Sequence, residues 1–331
     1  MIDYIKLKYY IEIPTKYFSP LIWQQGKTDD GQFFRWRTVR HVKLRYYEES
    51  KLFTISGKII RYLYDTQVQN VDDVYGARTD LFVEEINDAL NRLFPSPILD
   101  IRNFIVTRID YCINLETPYT QTYIEFMDRA FKMTNNGTRV NYAEEHDLDG
   151  SVYVRTASDY KENSNKNYTL NFYNKAHQLQ ALIKEGAYIS EVDLALAENI
   201  LRLEVQCGYQ MIRRLTQKFC IGNTFGELFD FRIAYEAIQS AYVLVLKGTE
   251  DADYYTYAEA KKQLKGKRKA QDVILVAASH RIMGSKYAYG RNQAKAAGVY
   301  PHCFLPKSKT LIHLDNPLKL LRDKLTKIRA L

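Results

Sequence analysis

The stretch "NYTLNFYNKAH", from Asn167 to His177, alternates polar and apolar residues, and its reading decides the fold. Successive side chains of an extended chain point to opposite sides. As a strand, the stretch sends Asn171, Tyr173 and Lys175 to one face and Leu170, Phe172 and Asn174 to the other. A tyrosine then stands between an amide and an ammonium. Its hydroxyl is either a nucleophile or one more surface phenol in a chain with 27 tyrosines.

Two further stretches alternate in the same way. In "VTRIDYCINL", Arg108, Asp110, Cys112 and Asn114 share a face; in "ILRLEVQC", Arg202, Glu204 and Gln206 lie opposite Leu203 and Val205. With these strands as neighbours, one surface would present two carboxylates, a phenol, a lysine and two arginines. Burying an unpaired ion costs several kcal/mol, so such groups must pair or bind something. One arrangement pairs Arg108 with Glu204 and Arg202 with Asp110. The other is a hard-cation site in which Asp110 and Glu204 hold Mg²⁺ or Mn²⁺ and substrate phosphate completes the shell. Residue types and spacing leave both open.

Strands also account for the first 65 residues, "YIKLKYYIEI", "TVRHVKLRYYEES" and "KLFTISGKIIRYLY", with a turn at Glu48–Lys51. "ARTDLFVEEINDALNRLF" has Leu81, Ile86, Leu90 and Leu93 near helical spacing and stops before the prolines of "PSP". A central strand is expected over 101–116 and a helix over 119–133. Strands follow in "TRVNYAEEH" and "GSVYVRTAS", then a short helix in "KAHQLQALIKEG". "TFGELFDFRIAYEAIQSAYVLVL" reads as helix opened by a Thr224–Glu227 capping box, a signature repeated by Thr256 and Glu259. The polar "KGTEDAD" (247–253) marks a boundary. The expected fold class is α+β: an antiparallel β-sheet catalytic core flanked by helices in residues 1–250, then a basic helical C-terminal module in 251–331.

With 46% hydrophobic and 26% charged residues, the chain has the composition of a globular protein, and no apolar run is long enough for a bilayer. The N-terminus lacks the pattern of a secretory signal, so a cytoplasmic location without membrane partners is expected. The four cysteines form no C-x-x-C pair. Residues 255–331 hold 17 Lys and Arg against 4 Asp and Glu, a net +13 in a chain whose total is +8. A polyanion is the natural partner of such a segment. "KKQLKGKRK" contributes Lys267, Arg268 and Lys269. Two helices around "MGSKYAYG" would form a helix-turn-helix or winged variant that turns Arg281, Lys286, Arg291 and Lys295 toward DNA. The final "NPLKLLRDKLTKIRAL" is amphipathic and suits docking on the body or a second subunit.

The ordered set "VTRID" (106–110), "TLNFYNK" (169–175) and "LRLEV" (201–205) resembles the rolling-circle replication initiators of small Gram-positive plasmids. It is similar as well to the filamentous-phage gene II replication proteins and to the relaxases of some conjugative elements. The upstream "FTISGKIIRYLYDTQVQNV" (53–71) looks like the phage-type members, and the resemblance spans about Phe53 to Gln206. It implies a metal-dependent DNA nicking and joining enzyme in which a tyrosine attacks a phosphodiester, stays on the 5′ phosphate and frees a 3′ hydroxyl to prime synthesis. The nucleophile would be Tyr173, assisted by Lys175, with Asp110 and Glu204 holding Mg²⁺ or Mn²⁺ and Arg108 and Arg202 meeting DNA. Origin or nick-site DNA, single- and double-stranded, is the implied partner, with a host helicase and a second copy of the chain as further candidates. Two departures from the family pattern are Asn114, where a second acid is common, and His177, where an acid often follows. None of the six histidines forms the pair, one hydrophobic residue apart, that binds metal in the larger group of nicking enzymes. A conjugative relaxase with the same chemistry and a non-catalytic origin-binding protein are the alternatives.

If the +13 segment supplies duplex affinity, deleting the residues after Asp253 weakens duplex binding and flattens its salt dependence, by about 0.9 of slope per lost phosphate contact. Binding titrations of intact and truncated chains at several salt concentrations measure this; an unchanged slope would place recognition in the body.

Overall fold

A computed structural model describes residues 2–64, 77–94, 99–120, 123–124, 151–155, 168–245, 254–278, 285–299, 303–304, 313–314, 323 and 326. The chain opens with β1 (Ile2–Tyr10), β2 (Gln24–Lys27), β3 (Phe33–Val39), β4 (Val42–Tyr47) and β5 (Leu52–Lys58), followed by α1 (Ile59–Tyr64) and α2 (Ala77–Leu93). Next come β6 (Ile105–Glu116), β7 (Ser151–Arg155), β8 (Tyr168–Asn174), α3 (Lys175–Lys184), α4 (Glu191–Ala197) and β9 (Ile200–Cys207). Helices α5 (Tyr209–Phe219), α6 (Phe225–Leu228) and α7 (Phe231–Val245) follow.

The nine strands form one antiparallel sheet in the order β2-β3-β4-β5-β1-β6-β9-β8-β7, so the fold is α+β, as expected. Period-two alternation gives the sheet an apolar face, on which Leu7, Leu44, Ile55, Ile113 and Leu203 are buried. That face packs in one core with Phe82, Ile86 and Leu90 of α2, Met211, Ile212 and Leu215 of α5, and Ile233, Ala237 and Ile238 of α7.

Several local readings change. The third N-terminal segment is extended only to Lys58. Ile59 and Tyr62, three apart and both buried, then follow helical rather than strand spacing. Helix α2 forms where expected, but its buried stripe is Phe82, Ile86, Leu90 and Phe94, while Leu81 is exposed. The helical reading of 224–246 divides into α6 and α7, because Asp230 accepts the Arg232 N–H at 2.7 Å and starts a new helix. Thr224 and Glu227 do not form a reciprocal box. The Thr224 hydroxyl donates to Glu227 at 2.7 Å, and the same carboxylate accepts the Gly222 N–H at 2.9 Å.

The basic segment contains β10 (Tyr254–Thr256), α8 (Tyr257–Gln263), α9 (Arg268–Ala278), α10 (Ala288–Ala296), β11 (Cys303–Phe304) and β12 (His313–Leu314). It is therefore not purely helical: the three strands pair in the order β11-β10-β12. Ala260, Leu264, Ala270, Ile274, Ala294 and Val299 make a small core of their own. The expected strand "TRVNYAEEH", most of the 119–133 helix, the 247–253 boundary and most of the C-terminal amphipathic stretch lie outside the described residues. Among the described residues, no helix is long and apolar enough to cross a membrane.

Helices α9 and α10 touch at Gly290, where an added Cβ would lie 2.4 Å from the Lys269 carbonyl oxygen and 2.8 Å from Val273. Backbone cannot yield there as a flexible side chain would. Gly290→Ala is expected to destabilise this small core by about 1–3 kcal/mol, measured by chemical denaturation.

Candidate functional site

Strand β9 lies between β6 and β8, and the registers bring three polar faces together. Glu204 stands opposite Cys112 on one side and Asn171 on the other; Arg202 is likewise flanked by Asn114 and Tyr173. Asp110 faces Gln206 across β9 and Tyr4 across β1.

Glu204 is the acceptor at the centre. Its Oε2 takes the Tyr173 hydroxyl at 3.0 Å, and its Oε1 takes the side-chain amides of Asn171 at 3.2 Å and Gln206 at 2.9 Å. These donors are neutral, so they orient the carboxylate without cancelling its charge. Tyr173 is only 4% exposed, so its hydroxyl is not a surface phenol. Burial and then the Glu204 charge push its pKa well above the ordinary 10.0, and Arg202 opposes them. Tyr173 is therefore held as a protonated donor.

Arg108 grips Asp110, two residues along its own strand, through a two-pronged contact of 2.8 and 2.6 Å. Asp110 is 2% exposed, and burial, only partly offset by Arg108, pushes its carboxyl up to about 7. Arg202, whose side chain has no exposure, donates from Nε to Asn114 Oδ1 at 2.9 Å and from a terminal nitrogen to Asp3 Oδ1 at 3.1 Å. Among the described residues, these contacts stand in place of the cross-strand pairs Arg108–Glu204 and Arg202–Asp110. Burial works against the Arg202 charge, but the acidic groups around it, Asp3 and Glu204 among them, outweigh it and hold its proton more tightly than in free arginine.

Asp3 reaches this face because the β1–β6 register slips between Ile2 and Tyr4. A bulge places an extra residue on the strand and re-aims its side chain. Burial raises the Asp3 pKa, yet Lys58, Arg202 and Lys175 more than compensate and hold it at about 2. Sequence reading missed Asp3, although a trace of it is visible there. Ile5 and Leu7 fix the core parity of β1, and Asp3 shares that parity. A charge at a core position of a strand is the signature of a bulge.

Lys175 is not part of the strand as expected. Asn174 caps helix α3 by accepting the N–H groups of Ala176 at 3.0 Å and His177 at 3.4 Å, so Lys175 opens the helix. Its Nζ lies 5.8 Å from the centre of the Tyr173 ring and 2.6 Å from Gln178 Oε1. Burial, then Arg202 and Lys58, drive its pKa well below the ordinary 10.5. The dependable positive charge beside Tyr173 is that of Arg202. His177 is exposed on the first turn of α3.

Lys267, Arg268 and Lys269 are exposed at the start of α9, with Lys269 Nζ 5.5 Å from the ring centre of Tyr289. On α10, Arg291 is half-buried and Lys295, four residues on, is exposed. Lys286 falls in the 3₁₀ turn Ser285–Tyr287, and its side chain, like all of Arg281, lies outside the described residues.

For a divalent cation, the candidate donors are the carboxylates of Asp110 and Glu204 and the Oδ1 of Asn171. That oxygen is buried and has no hydrogen-bond partner among the described residues. Two carboxylates and an amide oxygen suit a hard ion that keeps water or takes substrate phosphate as its remaining ligands. Among the described residues, no cluster of three or more His, Cys, Asp and Glu is arranged to hold a metal. The Oδ1 of Asn114 is already engaged by Arg202. Comparison with protein-family models, with curated proteins and with solved structures finds no match to this chain.

Asp3→Asn removes the carboxylate that faces a fully buried guanidinium, and a loss of about 3–5 kcal/mol of stability at pH 7 is expected. A depressed carboxyl stabilises fully above its unfolded pKa, and that contribution fades as pH falls from about 3.8 to 2. The difference between wild type and variant, measured by urea denaturation across this range, should therefore narrow toward pH 2.

Proposed function

We propose that this chain is a metal-dependent DNA nicking and joining enzyme that starts rolling-circle replication, with Tyr173 as its nucleophile. The observation that carries the reading is the 3.0 Å hydrogen bond from the Tyr173 hydroxyl to Glu204. A nucleophile and a base in contact, with the base oriented by further groups, is the arrangement that activates a weak nucleophile. Here Asn171 and Gln206 orient the base. In the reaction, the Tyr173 oxygen bonds to phosphorus as the phosphorus–O3′ bond breaks. Glu204 takes the phenol proton, and the departing 3′ oxygen takes a proton from water to become the priming hydroxyl.

Asp110, Glu204 and Asn171 would hold Mg²⁺ or Mn²⁺, which when bound supplies Lewis-acid polarisation of the scissile phosphate. Arg202 supplies fixed positive charge beside the phenol, and Arg108, with 40% of its side chain exposed, is placed to meet a phosphate. The +13 C-terminal segment fits duplex recognition at an origin. Transfer in conjugation uses the same cut and differs in biological setting rather than in this chemistry.

Tyr173→Phe keeps the ring and is expected to abolish the covalent adduct with a labelled single-stranded origin oligonucleotide in Mn²⁺, read on a denaturing gel. Tyr168→Phe is the control, because Tyr168 pairs with Cys207 out of phase with Tyr173. Glu204→Gln should slow adduct formation by about 10²–10⁴-fold. An adduct formed by the Tyr173→Phe protein would refute the assignment. Absence of adduct with the wild type as well, while the oligonucleotide is bound, would favour a non-catalytic origin binder in which these charges only hold the fold.

A further inference from the structure

The polar face of the sheet continues beyond the catalytic constellation, and its character changes there. From β6 it crosses β1, β5, β4 and β3 without a break, since Lys6 pairs with both Arg108 and Ser56, Ser56 with Lys43, and Arg45 with Trp36. The opposite face of β1, β5 and β4 is core, with Leu7, Val42, Leu44 and Ile55 showing no exposure. On the outward face, Lys6 and Tyr10 are exposed, and Lys8, Trp36, Lys43, Arg45 and Tyr47 are half-buried.

The chemistry of that face is one-sided. Positions facing outward on β3, β4, β5 and β1 carry the cations Lys43, Arg45, Lys58, Lys6 and Lys8. Apart from Asp3, which is committed to Arg202 and Lys58, they carry no acid. Among the described residues, no carboxylate pairs with Lys6, Lys8, Lys43 or Arg45. Lys8, Lys43 and Arg45 rest on aromatic rings instead. Lys43 Nζ lies 4.5 Å from the Trp36 ring centre, Lys8 Nζ 5.5 Å from that of Tyr10, and the Arg45 guanidinium 5.4 Å from that of Phe34. Arg45 Nε is buried with no acceptor among the described residues. At the border with the catalytic constellation, the Arg108 guanidinium lies 5.0 Å from the Tyr4 ring centre.

Unpaired cations interleaved with planar rings on an open sheet face match one class of ligand. Phosphates answer the cations, and unpaired bases stack on the rings. Duplex DNA offers the phosphates but not free base faces. We infer that the outward face of β3, β4, β5 and β1 is a single-strand nucleic-acid platform, along which the strand to be cut is laid toward Tyr173. The direction of the track rests on the nicking reading, whereas binding itself does not.

The chain has two tryptophans, and Trp23 is buried at 2% exposure, so fluorescence quenching by a ligand on this face reports on Trp36. The full-length protein is titrated with a single-stranded oligo-dT in EDTA, where no cleavage occurs. Quenching is expected, and Trp36→Phe should abolish it. The triple variant Lys6→Gln, Lys8→Gln, Lys43→Gln should lower the slope of log affinity against log salt by about 2, close to 0.7 per lost contact. A duplex of equal length should leave Trp36 unquenched. Tyr173→Phe should bind and quench like wild type, which separates failure of the platform from failure of the nicking chemistry. Quenching that survives Trp36→Phe, a duplex quench equal to that of the single strand, or an unchanged slope in a triple variant with wild-type circular dichroism would each overturn the proposal.

Discussion

A guanidinium with no exposure, on an interior strand of the sheet, is the constraint around which the rest is arranged. Removing Arg202 from water costs several kcal/mol unless charge and hydrogen bonds replace its hydration. Those replacements come from three separate pieces of chain. Asp3 arrives through a bulge in β1, Asn114 through β6, and the phenol of Tyr173 flanks it from β8. A one-residue slip in any of these pairings would turn a partner into the apolar core and leave the guanidinium unanswered. The buried ion therefore selects the register that also sets Glu204 against Tyr173.

The two halves of the polar face then play different physical parts. On β6, β9 and β8 the polar groups are buried and mostly satisfied by one another, so their geometry is fixed and their interactions are strengthened by the low local dielectric. On β3, β4, β5 and β1 the same face carries half-open rings and, Lys58 beside Asp3 apart, cations that no carboxylate among the described residues answers. Such a surface gives little to fold stability. As the proposed platform, it would be stabilised by an anionic partner that stacks.

How much of this was legible in sequence follows from what each signal depends on. Alternation in "TLNFYNK", "VTRIDYCINL" and "ILRLEVQC" identified Asn171, Tyr173, Arg108, Asp110, Arg202 and Glu204 as outward residues of strands, because period two is a local property of the chain. Which partner each charge takes is not local. Arg108 turned to Asp110 on its own strand, and Arg202 to an aspartate 199 positions away, delivered by a bulge. Parity alone assigns Lys175 to the strand, yet Asn174 is a strong helix N-cap and ends the extended run one residue earlier. In sequence, the aromatic and basic residues of β3 and β4 signal only strand formation. Their common face exists only once the sheet order is known.

The carboxylate that holds Tyr173 also opposes its ionisation. Glu204 accepts the phenol proton's hydrogen bond, and its negative charge, added to burial, keeps that proton on oxygen. Arg202 pulls the other way and does not prevail. Lys175 does not tip the balance while burial disfavours its charge. In the proposed enzyme the site without metal would hold the phenol in place and protonated, and positive charge brought to Glu204 would offset the charge that opposes its ionisation. A hard cation shared by Asp110, Glu204 and the unpartnered oxygen of Asn171 would do so, since it screens the charge that raises the phenol pKa. In the proposed enzyme, attack would then be tied to metal and phosphate being present together. That coupling is what a nuclease needs if its tyrosine is not to act on its own.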